Sequence, residues 1–281
     1  MAHEHLKWVK KTINYIYIQG IDWNWIPNGT WFFVGVKNQK NPDMLFTYLV
    51  SAKHVFYDEY GNIHNKILVR LNKTDGTIWE EIVDLTKIVI HTHTDQSVDI
   101  ALFECSIDSN KYDFMIIQDD LFATKQIVQE NGICEWDDMF FAWLFINYLG
   151  SQKNYPLLRF WKVALMPDEK ILITQKNKNL DWTDKFITEM KDLYLMECNS
   201  IGGHSWSPVF FQLNWHRDLD QITIWPWSVR MFLAWIMSWR FNDTSAWNGE
   251  NSGIAYITPA YLLNEILLNE ELAKRREKAT Q

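Results

Sequence analysis

Along most of the chain, apolar residues come in short alternating runs separated by turn residues, the pattern of half-buried β-strands. Thr30 to Val36 reads as a strand leaving the turn Pro27-Asn28-Gly29, and Met44 to Ser51 as the next. Tyr60-Gly61-Asn62 predicts a hairpin turn. Lys66 to Leu71 and Thr77 to Val83 pair across Lys73-Thr74-Asp75-Gly76, and Ile88 to His91 and Ile100 to Cys105 continue the series. A strand roughly every ten residues is the spacing of a barrel or sandwich. A second set begins near residue 126, with Met139 to Leu144, Lys162 to Met166, Lys170 to Gln175, Asp192 to Cys198, Pro208 to Leu213 and Phe232 to Ser238. The alternation lapses between Asp108 and Gln126, which marks a seam. From Thr258 the period becomes helical through Leu268, with Thr258 as the expected cap and Pro259 in the first turn. The pattern predicts an all-β chain in two halves, 1–120 and 121–257, followed by a helix and tail over 258–281.

Composition narrows the class. The 281 residues are 47% apolar and 22% charged, enough to bury a core without metals or disulfides. The net charge of −8 removes the basic footprint of a nucleic-acid binder. The short run Lys274-Arg275-Arg276 reads as the solvated end of a helix. Three cysteines, Cys105, Cys134 and Cys198, form no CxxC pair and no disulfide framework, and read as buried thiols. The first residues lack a signal-peptide pattern, and the longest apolar stretches, Met139 to Leu149 and Met231 to Trp239, are too short to span a bilayer. The expectation is a cytoplasmic protein without a membrane partner; its oligomeric state is not indicated.

Three segments carry the chemistry. Ser51-Ala52-Lys53-His54 ends a β run in small residues and a histidine. Asp99-Ile100-Ala101-Leu102 places an acid before a buried strand. Gly202-Gly203-His204-Ser205-Trp206-Ser207-Pro208 is a glycine turn that presents a serine and then enters a strand. A serine hydroxyl needs a base to take its proton, and the base needs a carboxylate to fix its tautomer. His54 and Asp99 supply those parts for Ser205. The backbone N–H groups of Gly203 and Ser205 are the expected oxyanion donors.

These segments resemble the motifs of the chymotrypsin-like serine peptidases, in the order His54, Asp99, Ser205. Asp99 to Leu102 matches fully; the serine motif departs from Gly-x-Ser-Gly-small-Pro at Trp206. Gly29 to Val34 is similar to the family's early strand and Glu135 to Phe140 to the start of its second barrel. The resemblance implies two six-stranded antiparallel β-barrels with the catalytic groups between them, no cofactor and a polypeptide substrate. It implies that Asn199 lies at the base of the specificity pocket. Ser238 to Arg240 then form its wall and pair with the substrate backbone as an added strand. His204 stands where many members carry the acid that binds a freed N-terminus, so activation by N-terminal cleavage is not implied. Two other readings stay open. One is a peptidase-fold binding module disabled by Trp206. The other is a metallohydrolase built on the pairs His3, His5 and His91, His93.

Tryptophan occurs 16 times and glycine only 11, against ~7% glycine in average proteins. Trp31, Trp136, Trp143, Trp161, Trp206 and Trp235 fall where the family favours glycine, and Trp23 and Trp25 fall in what reads as a turn. Some bacterial lineages translate UGA as glycine, whereas a common alternative code reads it as tryptophan. The mirrored excess and deficit fits glycine codons rendered as tryptophan.

Overall fold

A computed structural model describes residues 4–20, 22–58, 61–145, 148–178, 184–198, 207–213, 216–218, 221–223, 230–242 and 251–280. The first half contains α1 (Glu4–Lys10), β1 (Ile13–Gln19), β2 (Trp25–Lys37), β3 (Leu45–Ser51), α2 (Lys53–Phe56), β4 (Lys66–Asn72), β5 (Ile78–Asp84), β6 (His91–Thr92), β7 (Ala101–Glu104) and β8 (Ile116–Gln118). After α3 (Lys125–Glu130) come β9 (Asp138–Trp143), β10 (Leu157–Leu165), β11 (Ile171–Lys178), β12 (Asp184–Lys191), β13 (Tyr194–Glu197), β14 (Pro208–Leu213), β15 (His216–Asp218), β16 (Gln221–Thr223), β17 (Arg230–Asn242) and β18 (Asn251–Pro259). Two helices, α4 (Ala260–Leu267) and α5 (Glu270–Ala279), follow.

The second half closes into a six-stranded antiparallel barrel, β10-β13-β18-β17-β14-β9, with the hairpins β11–β12 and β15–β16 inserted between its strands. The first half runs β5-β4-β1-β2-β3-β7-β6. Its two end strands are neighbours in sequence, separated by the 3-10 turn Leu85–Lys87. Counted as one interrupted strand, β5 and β6 give the first half the same order as the second: first, second, third, sixth, fifth, fourth. The interruption has a local cause. The Asp84 carboxylate accepts from the Thr86 hydroxyl at 2.6 Å and its N–H at 3.2 Å, which folds a turn where a strand would continue. Leu85 is buried beneath it. So the expected pair of barrels is one closed barrel and one interrupted ring, to which β8 adds a parallel pairing on β2.

The interior joins the halves. Phe140, Phe210, Leu233 and Ile236 of the second half are buried with Phe32, Val34, Val50 and Leu102 of the first. Each fully buried apolar side chain of this size contributes about 1.5–3 kcal/mol. Trp8 of α1 meets Phe210 edge-on at 6.0 Å. Asn154 and Asn72 exchange bonds across the link, Asn154 N–H to Asn72 Oδ1 at 2.7 Å and Asn72 Nδ2 to Asn154 O at 3.2 Å.

Two expectations for the C-terminal segment are corrected. Thr258 does not cap the helix: it pairs with Ile236 in β18, and Pro259, extended at ψ 141°, stands at the cap position. The helical stretch is two helices, because Asn269 accepts from the Leu272 N–H at 2.8 Å and starts α5 afresh. The run at 274–276 lies in α5 with Lys274 and Arg275 exposed, as expected, and two of its side chains also reach back to the first half. Arg275 Nε donates to both Glu104 oxygens at 3.0 Å, and Arg276 donates to Tyr48 Oη at 3.0 Å. Among the described residues no helix is long and apolar enough to cross a membrane.

Candidate active site

β3 ends where the first motif begins. Ser51 is buried and its hydroxyl donates to Thr30 O at 2.8 Å, which ties the strand end to β2. Ala52 is also buried, so the small residues of the motif are packing requirements. Val55 and Phe56 bury one face of α2 and turn His54 outward. Gly29 makes this possible: a β-carbon there would stand 2.9 Å from Val55 Cγ2.

Asp99 grips His54 at two points. Its Oδ2 lies 2.8 Å from His54 Nδ1, and its Oδ1 accepts the His54 backbone N–H at 3.0 Å. An ionised carboxylate has no proton to give, so Nδ1 is the donor. The neutral ring then carries its lone pair on Nε2, the arrangement of a general base held by an acid. Lys53 N–H reaches Asp99 O at 3.4 Å, and Lys53 Nζ donates to Gln96 Oε1 at 2.6 Å, so α2 and the Asp99 loop are laced together.

The structure brings these two predicted residues together. Ser205, with Gly203, Asn199, His204 and Trp206, lies outside the described residues. Their flanks are placed. Cys198 N–H donates to Gly253 O at 2.7 Å, and Met237 N–H to Ser207 O at 3.1 Å. Ser238 and Arg240 belong to β17, where Arg240 pairs with Ala255 and the register shifts between Met237 and Trp239. Beyond Ile236, β17 has no partner strand on its β14 edge among the described residues.

Asp95 was not among the expected site residues. Its carboxylate lies low, at about 2, because the Ser97 hydroxyl and N–H donate to it and Lys170 stands beside it. The signal was legible as Asp95-Gln96-Ser97, an acid followed two residues later by a hydroxyl, which folds a side-chain turn. The pair His91 and His93 does not share a strand face. β6 ends at Thr92, His91 is buried, and His93 Nε2 lies 2.9 Å from Glu265 Oε2. Of the cysteines, Cys198 is buried and Cys105 partly so, with both thiols pushed up to about 12 by burial. Cys134 is exposed, against the expectation of three buried thiols.

The tryptophans divide. Trp31 is buried and donates to Tyr15 O at 2.8 Å. Trp23 and Trp136 are 77% and 78% exposed and adopt φ of 61° and 75°. They are the positive-φ non-glycine residues among those described.

No family model matches the chain, and no curated protein matches it. Among solved structures it is similar to the protease Anisep from Arthrobacter nicotinovorans, with 11% identity, a TM-score of 0.47, and 92% of this chain and 95% of that one covered. It is also similar to AL20, a thermostable serine protease from an extremophilic microorganism, with 9% identity, a TM-score of 0.45, and 92% and 99% covered. The all-β fold class stands on the closed barrel and on the strand order repeated in both halves.

Proposed function

We propose that the chain is a serine endopeptidase in which Ser205 is the nucleophile, His54 the general base and Asp99 the acid that orients it. The two-point contact of Asp99 on His54 carries this reading, because it fixes both the tautomer and the ring of a base. In the proposed reaction Ser205 Oγ attacks the scissile carbonyl as its proton passes to His54 Nε2. The oxyanion is held by the N–H groups of Gly203 and Ser205. The same proton then passes to the leaving amine, and water releases the acyl group by the reverse sequence. A polypeptide substrate is supported by the β17 edge at Ser238 to Arg240, which can accept an extended strand. Asn199, being uncharged, does not favour a basic side chain in the pocket. Arg240 favours an acidic or polar one.

One observation favours a second reading, a peptidase-fold module that binds without turnover. Trp206 follows the nucleophile directly, where an indole restricts the turn. Fluorophosphonate labelling with mapping of the adduct separates the two. The expected result is an adduct on Ser205 in the chain as it stands or in Trp206→Gly, lost in Ser205→Ala and reduced about 10⁴-fold in Asp99→Asn. A folded Trp206→Gly protein that takes no label would overturn the peptidase reading.

A further inference from the structure

The loop that delivers Asp99 is knitted over its whole length. Asp95 O accepts the Val98 N–H at 3.1 Å, and Asp95 Oδ1 accepts the Ser97 N–H at 2.9 Å and the Ser97 hydroxyl at 2.7 Å. The turn at 95–98 therefore closes on the Asp95 carbonyl and is braced by the Asp95 carboxylate on Ser97, and Asp99 is the next residue out of it. The Asp95 N–H donates to His93 Nδ1 at 3.0 Å, while His93 Nε2 is anchored on Glu265 of α4. On the other side Asp95 Oδ2 meets Lys170 Nζ at 3.3 Å, so the turn touches the second half just before β11, and Lys170 in turn reaches Asp192 after β12 at 3.4 Å.

We infer that Asp95 is a positioning residue: it folds the turn that holds Asp99 in two-point contact with His54. The inference deepens the peptidase reading and takes from it only what the contact is for. Three facts support it. Asp99 uses both oxygens on one neighbour, so a small rotation of its backbone breaks both bonds. Val98 and Ile100 are buried on either side, so the chain swings about fixed points. The Asp95 side chain accepts two bonds, both from Ser97, and its backbone carbonyl accepts the Val98 N–H, so this one residue supplies both acceptor groups that close the turn. The Lys170 pair is exposed on both partners, and exposed pairs contribute little. The turn itself is the working part.

The test compares Asp95→Ala with Asp95→Asn in the full chain. Asparagine keeps the Oδ1 acceptor for Ser97 and loses the charge; alanine loses both. Two readouts are taken: the downfield ¹H resonance of the His54 ring N–H held by Asp99, and the fluorophosphonate rate at Ser205. Asp95→Ala is expected to lose the resonance and to slow labelling about a hundredfold, the cost of an ångström of misplacement. Asp95→Asn is expected to keep the resonance and to label within about threefold of the parent. An Asp95→Ala protein with the parent's resonance and rate would overturn the inference. So would equal impairment of both variants, which assigns the effect to charge. A parent without the resonance also overturns it. If Asp95→Ala fails to fold, Ser97→Ala removes one donor from the same turn and is expected to slow labelling about tenfold; an unchanged resonance and rate there overturns the inference. A resonance present in the parent and lost in Asp95→Ala, with no serine labelled in either, upholds the positioning and rejects the peptidase reading.

Discussion

Trp136 combines the left-handed backbone region with a side chain standing in solvent, 78% exposed. Its N–H donates to Val163 O at 3.0 Å, so the turn is held by backbone that any residue supplies. A side chain in that region costs roughly 1–2 kcal/mol, and glycine has no such cost. Trp23 repeats the combination. Trp136→Gly and Trp23→Gly are each predicted to stabilise the protein by about 1 kcal/mol in urea unfolding; unchanged or lower midpoints would reject this. The same two positions were singled out by turn pattern and family likeness alone. The hypothesis that several of these codons encode glycine is motivated by that agreement. Reading the gene tests it: UGG at codons 23, 136 and 206 rejects the idea. Trp31 argues that the substitution is not uniform, because its indole is buried and hydrogen-bonded.

At the scale of elements, α5 stands out as a clamp on the first half. Leu272 is fully buried beneath it, while the Arg275–Glu104 pair is about 40% exposed on each side. The burial outweighs the pair. Leu272→Ala is predicted to cost about 3 kcal/mol, and Arg275→Ala about 1 kcal/mol or less, in chemical denaturation; a reversed order would show that the clamp is electrostatic. Apolar runs bounded by turn residues were legible in the sequence, and Pro208–Leu213, buried almost throughout but set off by the glycine turn and Pro208, was placed to the residue. β1 escaped because Ile13 to Tyr17 is buried on both faces and shows no alternation. β18 escaped because it opens on Asn251-Ser252-Gly253, a turn composition. β6 is shorter than Ile88 to His91 suggested, since Val89 is turned out to solvent. His54 and Asp99 were legible because each sits in a local motif. The bracing of the loop before Asp99, by Asp95 on Lys170 and His93 on Glu265, depends on pairings distant in sequence, which no local pattern encodes.

For the molecule as a whole, acid is expected to act in two steps. Burial lowers the affinity of His64 and His91 for a proton, so both favour the neutral form in the fold. The stability they hold is present above the ordinary value of 6.5 and is lost as pH falls below it. Asp84 and Asp95 lie at about 2, below the ordinary 3.8, chiefly because the hydroxyls of Thr86 and Ser97 donate to them. Their contribution is present above about 4 and is lost between about 4 and 2. Urea unfolding across pH is predicted to weaken below 6.5 and again below 4. Asp84→Asn should flatten the second step and leave the first, and an unaltered second step would reject the assignment.

The crossing of the chain's segments bears on how the protein is made. Glu104 of the first half waits for Arg275, 171 residues later, and Phe210 of the second half packs on Trp8, which is synthesised first. Each half thus borrows a helix from beyond the other. A ribosome releases the first half before α5 exists, and chains generally fold in the order they emerge. The loop behind Asp99 likewise lacks Glu265 until α4 is translated. A nascent chain therefore carries His54 and Asp99 before the turn behind them is fully braced, and that bracing waits for α4 and α5 to be translated.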